Sequence, residues 1–97
     1  MIFLDQIVCK DKKTASRIMA GEAIVLTPMN GKIYSLNETG SRIWAWLDDR
    51  PTVGELVARM QSEFKVGEEQ AQAHIITFLE ELVARGMVTL SESSKAE

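Results

Sequence analysis

The chain is 97 residues long, with 45% hydrophobic residues, 26% charged residues and a net charge of −3. This is the size and composition of one globular domain, which excludes a wholly disordered chain and a collagen-like one. The acidic excess lies in residues 48–97, which carry five basic and ten acidic side chains. Such a balance is a poor match for a nucleic-acid surface.

The sequence also indicates where the protein works. No apolar run approaches the roughly 18 residues that a bilayer span requires, and the N-terminus lacks the basic and apolar regions of a secretion signal. Cys9 is the single cysteine, so an internal disulfide is excluded. We therefore expect a cytoplasmic protein that has no membrane partner and does not depend on oxidation.

The first half of the chain predicts a meander of three antiparallel strands. Short apolar runs at Ser16–Ala20 and Ala23–Thr27 flank Gly21-Glu22, a two-residue connection typical of a tight hairpin. The letters Thr-Pro-Met-Asn-Gly at 27–31 predict a second turn. The strand Lys32–Leu36 then follows, and it contains the residues that favour strands.

The second half predicts three helices. Asn37 is a suitable N-cap for the first, and Thr52 with Glu55 forms a capping-box pattern for the second. Gly86 follows the third at a position typical of helix ends. The predicted helices span Glu38–Leu47, Val53–Phe64 and Glu68–Arg85. The fold class is therefore α+β and winged helix-turn-helix-like, with a three-stranded meander followed by three helices.

The sequence predicts that the two ends of the chain lie outside this domain. We expect an N-terminal arm over residues 1–14, the folded domain over 15–90 and a disordered polar tail over 91–97. Within the arm, Ile2–Cys9 is apolar enough to be a further strand or a dimer contact, and both alternatives stay open. Met87–Leu90 is either a terminal strand or a packing segment.

The third helix is more apolar than a surface helix. Its helical spacing gives one stripe at Ala71, Ile75, Phe78 and Leu82, and an adjacent stripe at Ile76, Leu79 and Val83. The first stripe serves the core, which we expect to bury Trp44, Leu56, Phe78 and Leu82. The second stripe needs another partner, either the sheet or a bound peptide.

Catalytic and metal-binding constellations are missing from the sequence. His74 is the only histidine, Cys9 the only cysteine, and they lie in different elements, whereas nucleophilic catalysis needs a base and an orienting third group. A structural zinc site would need about four such ligands. We expect no enzyme activity, no metal and no cofactor, and we interpret His74 as a polar helix position.

The arrangement of strands and helices also suggests a DNA-binding winged helix. From Glu68 to Gly86, however, the third helix carries four Glu and one Arg. A recognition helix usually draws affinity from Lys and Arg that contact phosphates. The charge therefore disfavours nucleic acid as a partner.

Several segments together resemble the PqqD-like family, the pyrroloquinoline quinone synthesis protein D family, also called RiPP recognition elements. They are Gly21–Ala23, Gly31–Gly40, Ile43-Trp44, Arg50–Val53 and Phe78–Val88, and the resemblance extends over about residues 15–90. One departure is Asp49, where the family usually has a glycine in a turn. The resemblance implies a small non-catalytic domain that binds the leader segment of a ribosomally made precursor peptide. It also implies presentation of that peptide to a modifying enzyme, often a radical SAM protein.

The resemblance further implies a groove between the third strand and the third helix. An edge strand offers unpaired main-chain groups, to which an extended peptide can add as another strand. We therefore predict edge pairing and apolar contacts by six residues: Ile33, Tyr34, Ser35, Ile76, Leu79 and Val83. One alternative function is a structural or oligomerisation module, as a homodimer that buries the second stripe and the N-terminal arm. The other is a winged-helix DNA-binding regulator.

Overall fold

The computed structural model describes residues 2–27 and 31–92. The strands are β1 (Ile7–Lys10), β2 (Ala15–Met19), β3 (Glu22–Thr27), β4 (Lys32–Ser35) and β5 (Val88–Ser91), and the helices are α1 (Glu38–Trp46), α2 (Val53–Phe64) and α3 (Glu68–Ala84). A short 3-10 helix, Leu47–Asp49, continues α1. The predicted α+β fold, with an antiparallel three-stranded meander and three helices, is confirmed.

A two-residue turn joins β2 to β3. Met19 pairs with Glu22, so the turn consists of Ala20 and Gly21, whose φ angles are 54° and 84°. Positive φ at both positions is the signature of a type I′ turn, which matches the twist of the flanking strands. The prediction of Gly21-Glu22 was wrong by one residue, because alanine is uncommon at positive φ. The second predicted turn falls on residues 28–30, outside the described residues.

The helix ends follow the capping residues. The Asn37 side chain accepts a hydrogen bond from the Gly40 N–H at 2.8 Å, and both halves of the Thr52–Glu55 capping box are formed. Beyond α3, Gly86 has a φ of 75°. These contacts satisfy terminal groups that have no partner within the helix. No helix in the described ranges is both long and apolar enough to cross a membrane.

The N-terminal segment is part of the domain. β1 pairs antiparallel with β5, from Ile7 with Ser91 to Lys10 with Val88. Of the two alternatives for the arm, a further strand or a dimer contact, the structure has the strand. Ser91, which we expected in the disordered tail, is part of the same strand pair. The main chain also reaches α2, because the Gln6 and Leu4 carbonyls accept hydrogen bonds from the first two N–H groups of that helix at 2.9 and 2.8 Å.

The core lies between the meander and the three helices. Trp44, Leu56 and Leu82 are buried as predicted. Phe78 is not: it is half-buried and packs against the edge of the core. The buried apolar positions are Val8, Ala23, Val25, Leu36, Ile43, Trp44, Trp46, Leu47, Val53, Leu56, Val57, Met60, Ala71, Ile75, Leu79, Leu82, Met87 and Val88.

The Ser41 hydroxyl links the sheet to α1. It donates to the Leu36 carbonyl at 3.0 Å and accepts from the Ala23 N–H at 2.7 Å. Ser41 is buried, so both main-chain groups find a partner away from water. The link fixes the point at which β4 ends and α1 begins.

Removing the N-terminal segment should destabilise the domain. Deletion of residues 1–10 exposes the site that Val8 fills and removes two acceptors from α2. We expect the free energy of unfolding to fall by at least about 3 kcal/mol in urea melts. As a control, Phe3→Ser changes an exposed side chain and should cost less than about 0.5 kcal/mol. A truncated protein that unfolds like the full chain would contradict this docking.

The β2–β3 turn offers a stabilising substitution. Ala20→Asn creates the Asn-Gly pair that type I′ turns favour, and asparagine tolerates the left-handed conformation better than alanine. We expect a gain of about 0.5–1 kcal/mol in thermal or urea unfolding. Ala20→Val is the matched control and should lower stability, because a β-branched residue resists positive φ. If the two variants are equally stable, the positive φ of residue 20 in this turn is contradicted.

Candidate functional site

The third strand of the meander is an edge strand. The sheet order is β2-β3-β4, so β4 pairs on one side only. Leu36 donates its N–H to the Ala23 carbonyl of β3 at 2.9 Å. Because main-chain groups alternate in direction along a strand, Tyr34 also faces β3, whereas Ile33 and Ser35 turn their N–H and C=O groups to the open side. The edge therefore presents two donor–acceptor pairs.

An open cleft of about 590 Å³ lies beside this edge. One wall is the end of β4 with the start of α1, and the other wall is one face of α3. The lining residues are Ser35, Leu36, Asn37, Gly40, Gln70, Ala73, His74, Thr77, Phe78, Glu81 and Arg85. The cleft thus combines a strand edge with a helix face of mixed polarity.

Phe78 forms the apolar part of the cleft, and Gly40 makes room for it. A Cβ atom at Gly40 would lie 3.1 Å from one carbon of the Phe78 ring and 3.4 Å from another. The absence of a side chain at Gly40 therefore lets the ring pack against the first turn of α1. The ring lines the cleft together with Ser35 and Leu36 at the end of β4.

Charged and polar groups surround this apolar part. The Arg85 guanidinium lies 4.7 Å from the centroid of the Tyr34 ring, a cation–π contact between the two walls. Glu81 and His74 lie further along the same helix face. The cleft therefore has one end at Tyr34 and Arg85, near the strand, and another beyond Phe78.

The three predicted strand residues lie in different places relative to the cleft. Ser35 is among the residues that line it. Tyr34 is half-buried and points toward the core. Ile33 is 68% exposed, and its side chain lies on the outer face of the sheet, beside Ile24 and Leu26. Edge pairing by these three residues stays a prediction.

The predicted helix residues lie on other faces of α3. Leu79 has no exposed surface, so its placement on an open wall was wrong, and it belongs to the core. Val83 borders a separate shallow depression with Ile2 and Leu90, and Ile76 is half-buried. At 100° per residue, all three point more than about 120° away from the middle of the cleft face. Among the described residues that line the cleft, none of them occurs.

The sequence reasoning missed the helix face that does line the cleft. His74, Thr77, Glu81 and Arg85 have the spacing of a single helix face, but they are polar. A search for apolar stripes passes over such a face and selects Ile76, Leu79 and Val83 instead. The sequence feature that could have identified this face is Phe78, a large apolar residue with polar residues one helical turn before and after it.

The arrangement suits binding of an extended chain. Within residues 2–27 and 31–92, no three His, Cys, Asp or Glu side chains come close enough together to hold a metal ion. Cys9 is a free cysteine in β1, on a different element from His74. The cleft presents main-chain donors and acceptors of β4, the aromatic ring of Phe78 and the Arg85 guanidinium, which contacts Tyr34.

A small α+β domain with an edge strand beside a helix cleft is a fold with known relatives. The sequence pattern of Coenzyme PQQ synthesis protein D (PqqD) matches residues 22–88, well over half of the chain. The chain therefore belongs to the PqqD family. The match runs from the start of β3 to the start of β5 and includes every residue that lines the cleft.

Two solved structures are similar in fold. One is TbiB1 in complex with the TbiA(beta) leader peptide, with a TM-score of 0.78 and 22% identity over 82% of this chain and 93% of that one. The other is lasso peptide synthetase B1 complexed with the leader peptide, with a TM-score of 0.76 and 20% identity over 84% and 96%. No curated protein sequence matches the chain significantly.

Mutations can show which residues of α3 belong to the core and which lie at the surface. Leu79→Ala empties a fully buried position and should cost about 2–5 kcal/mol of unfolding free energy. Val83→Ala removes a side chain that is 42% exposed and should cost less than about 1 kcal/mol. Urea melts of the two variants measure the difference. Similar losses for both would contradict the assignment of Leu79 to the core.

Proposed function

We propose that the protein is a non-catalytic RiPP recognition element that binds the leader segment of a ribosomally made precursor peptide. The observation that carries the proposal is the open edge of β4 beside a cleft with an aromatic surface. Membership of the PqqD family and the fold shared with two leader-peptide complexes support it.

The binding mode we propose is addition of a strand. The leader lies in the cleft and pairs with the main chain of Ile33 and Ser35. Such pairing gives affinity with little sequence demand, so specificity comes from side-chain pockets. An apolar leader side chain packs on the part of the Phe78 ring that faces the cleft. The revised site is therefore Ile33, Tyr34 and Ser35 on the strand, with His74, Phe78, Glu81 and Arg85 on the helix.

The partner that follows from this role is a modifying enzyme to which the bound leader is presented, with a radical SAM protein as our first candidate. We further propose that the domain works in the cytoplasm, where such precursors are made. The winged-helix-like description of the fold, with β3 and β4 as the wing, belongs to the same proposal. The acidic α3, with Glu68, Glu69, Glu80 and Glu81, suits a peptide ligand better than a phosphate backbone.

The edge-pairing mode predicts the effect of a proline on β4. Ser35→Pro removes an N–H that faces away from β3, which an edge strand tolerates within the fold. We expect leader affinity to fall at least about tenfold, because a pairing bond is lost and the ring obstructs the edge. The probe is an array of 15-residue peptides that tiles the short open reading frames beside the gene, followed by titration of the bound peptides.

The control for this variant lies on the other edge of the same sheet. Ile18 of β2 pairs with Ala23, and its main-chain groups face away from β3 by the same alternation. Ile18→Pro should leave peptide affinity within about twofold, with circular dichroism melts to check both folds. If both proline variants lower peptide affinity equally, strand addition at β4 is contradicted. If no peptide on the array binds, the proposed function itself is contradicted.

A further inference from the structure

Arg85 is held in the cleft and forms no ion pair with the acidic side chains of residues 2–27 and 31–92. Its guanidinium lies over the Tyr34 ring at 4.7 Å, and the residue is half-buried among the cleft residues. Within the described part of the chain, the ion pairs join Lys10 to Asp48 and Arg42 to Glu38. Glu81 is one helical turn away from Arg85, but the two do not form an ion pair.

The stacking contact prepares this guanidinium for a ligand. A guanidinium held over an aromatic face still has N–H groups that are not used by the ring, and its planar fork can bind a carboxylate in a bidentate manner. Partial burial reduces screening by water and strengthens that interaction. Because Tyr34 already limits the movement of Arg85, less side-chain entropy is lost on binding.

The strand register tells which ligand residue meets Arg85. Residues directly opposite each other in an antiparallel pair place their side chains on the same face of the sheet. Tyr34 points to the inner face, where Val25 of β3 lies opposite it and is buried. A ligand residue paired opposite Tyr34 therefore directs its side chain toward the inner face, next to the Arg85 guanidinium.

We propose that the cleft selects peptides with an acidic side chain opposite Tyr34, and that Arg85 binds its carboxylate. This inference rests on the proposed function and specifies its ligand class. Two ligand residues further along, on the same face, the side chain opposite Leu36 meets the apolar surface of Phe78. The selected pattern is therefore an acidic and an apolar residue separated by one position.

Glu81 makes the selection sensitive to register. It lies on α3 between Phe78 and Arg85, about one turn from Arg85, and one turn is close to the two-residue repeat of a strand. An acidic side chain shifted by two positions, to the place opposite Leu36, therefore meets the Phe78 ring and the Glu81 carboxylate rather than Arg85. Repulsion at the wrong register adds to attraction at the right one.

The test is a double-mutant cycle with synthetic peptides. A positional-scanning library of ten-residue peptides is screened on the wild-type protein, and the best binder is made with Asp or Asn at its acidic position. We expect the Asp peptide to bind the wild type about tenfold tighter than the Asn peptide, as for a hydrogen bond to a charged group. With Arg85→Gln the two peptides should bind within about twofold of each other, and Arg85→Lys should recover part of the preference.

The outcomes separate the inference from a structural role for Arg85. If Arg85→Gln weakens both peptides equally, the guanidinium only supports the cleft and the inference is overturned. The same holds if the screen selects no acidic residue or if the preference survives Arg85→Gln. If no library peptide binds the wild type, the proposed function fails together with this inference.

Discussion

The Ser41 hydroxyl holds together the region on which the cleft depends. It satisfies the Ala23 N–H and the Leu36 carbonyl where the β3–β4 ladder stops. With these groups paired, the chain can leave the sheet after Leu36 and start α1 at once, and Asn37 caps that start. Gly40 and Phe78 then meet at a fixed distance from the strand edge. The groove geometry thus follows from one buried side chain between two main-chain groups.

Much of the fold could be predicted because local chemistry determines it. α2 begins and ends at the predicted residues, since a capping box marks its start and apolar spacing runs through it. The position of the β2–β3 turn was harder to predict from the sequence. Only the Met19–Glu22 pairing shows that Ala20 lies in the turn and adopts a positive φ. The pairing of β1 with β5 joins residues that are about eighty positions apart in the sequence, and neither segment carries a local sign of the other.

The site was predictable on the strand and not on the helix, for a physical reason. An edge strand follows from strand order, so the meander made Lys32–Leu36 one of two candidate edges, and the family resemblance selected it. A helix face that binds an extended chain must stay accessible to water before binding, and α3 meets this need with His74, Thr77 and Glu81. Apolar periodicity detects burial, and so it selected Leu79, which has no exposed surface. The face that lines the cleft is therefore the one with the weaker apolar signal.

The β1–β5 ladder has a consequence for the order in which the domain assembles. Its contacts have the greatest sequence separation in the fold, so the loop-closure entropy against forming them is the largest. The β2–β3–β4 hairpins and the α2–α3 pair need only local closure. The walls of the cleft are thus built from early elements, and the pairing of the two chain ends is the late step. The same late step brings the Leu4 and Gln6 carbonyls to α2, so the main-chain acceptors at the start of that helix are supplied last.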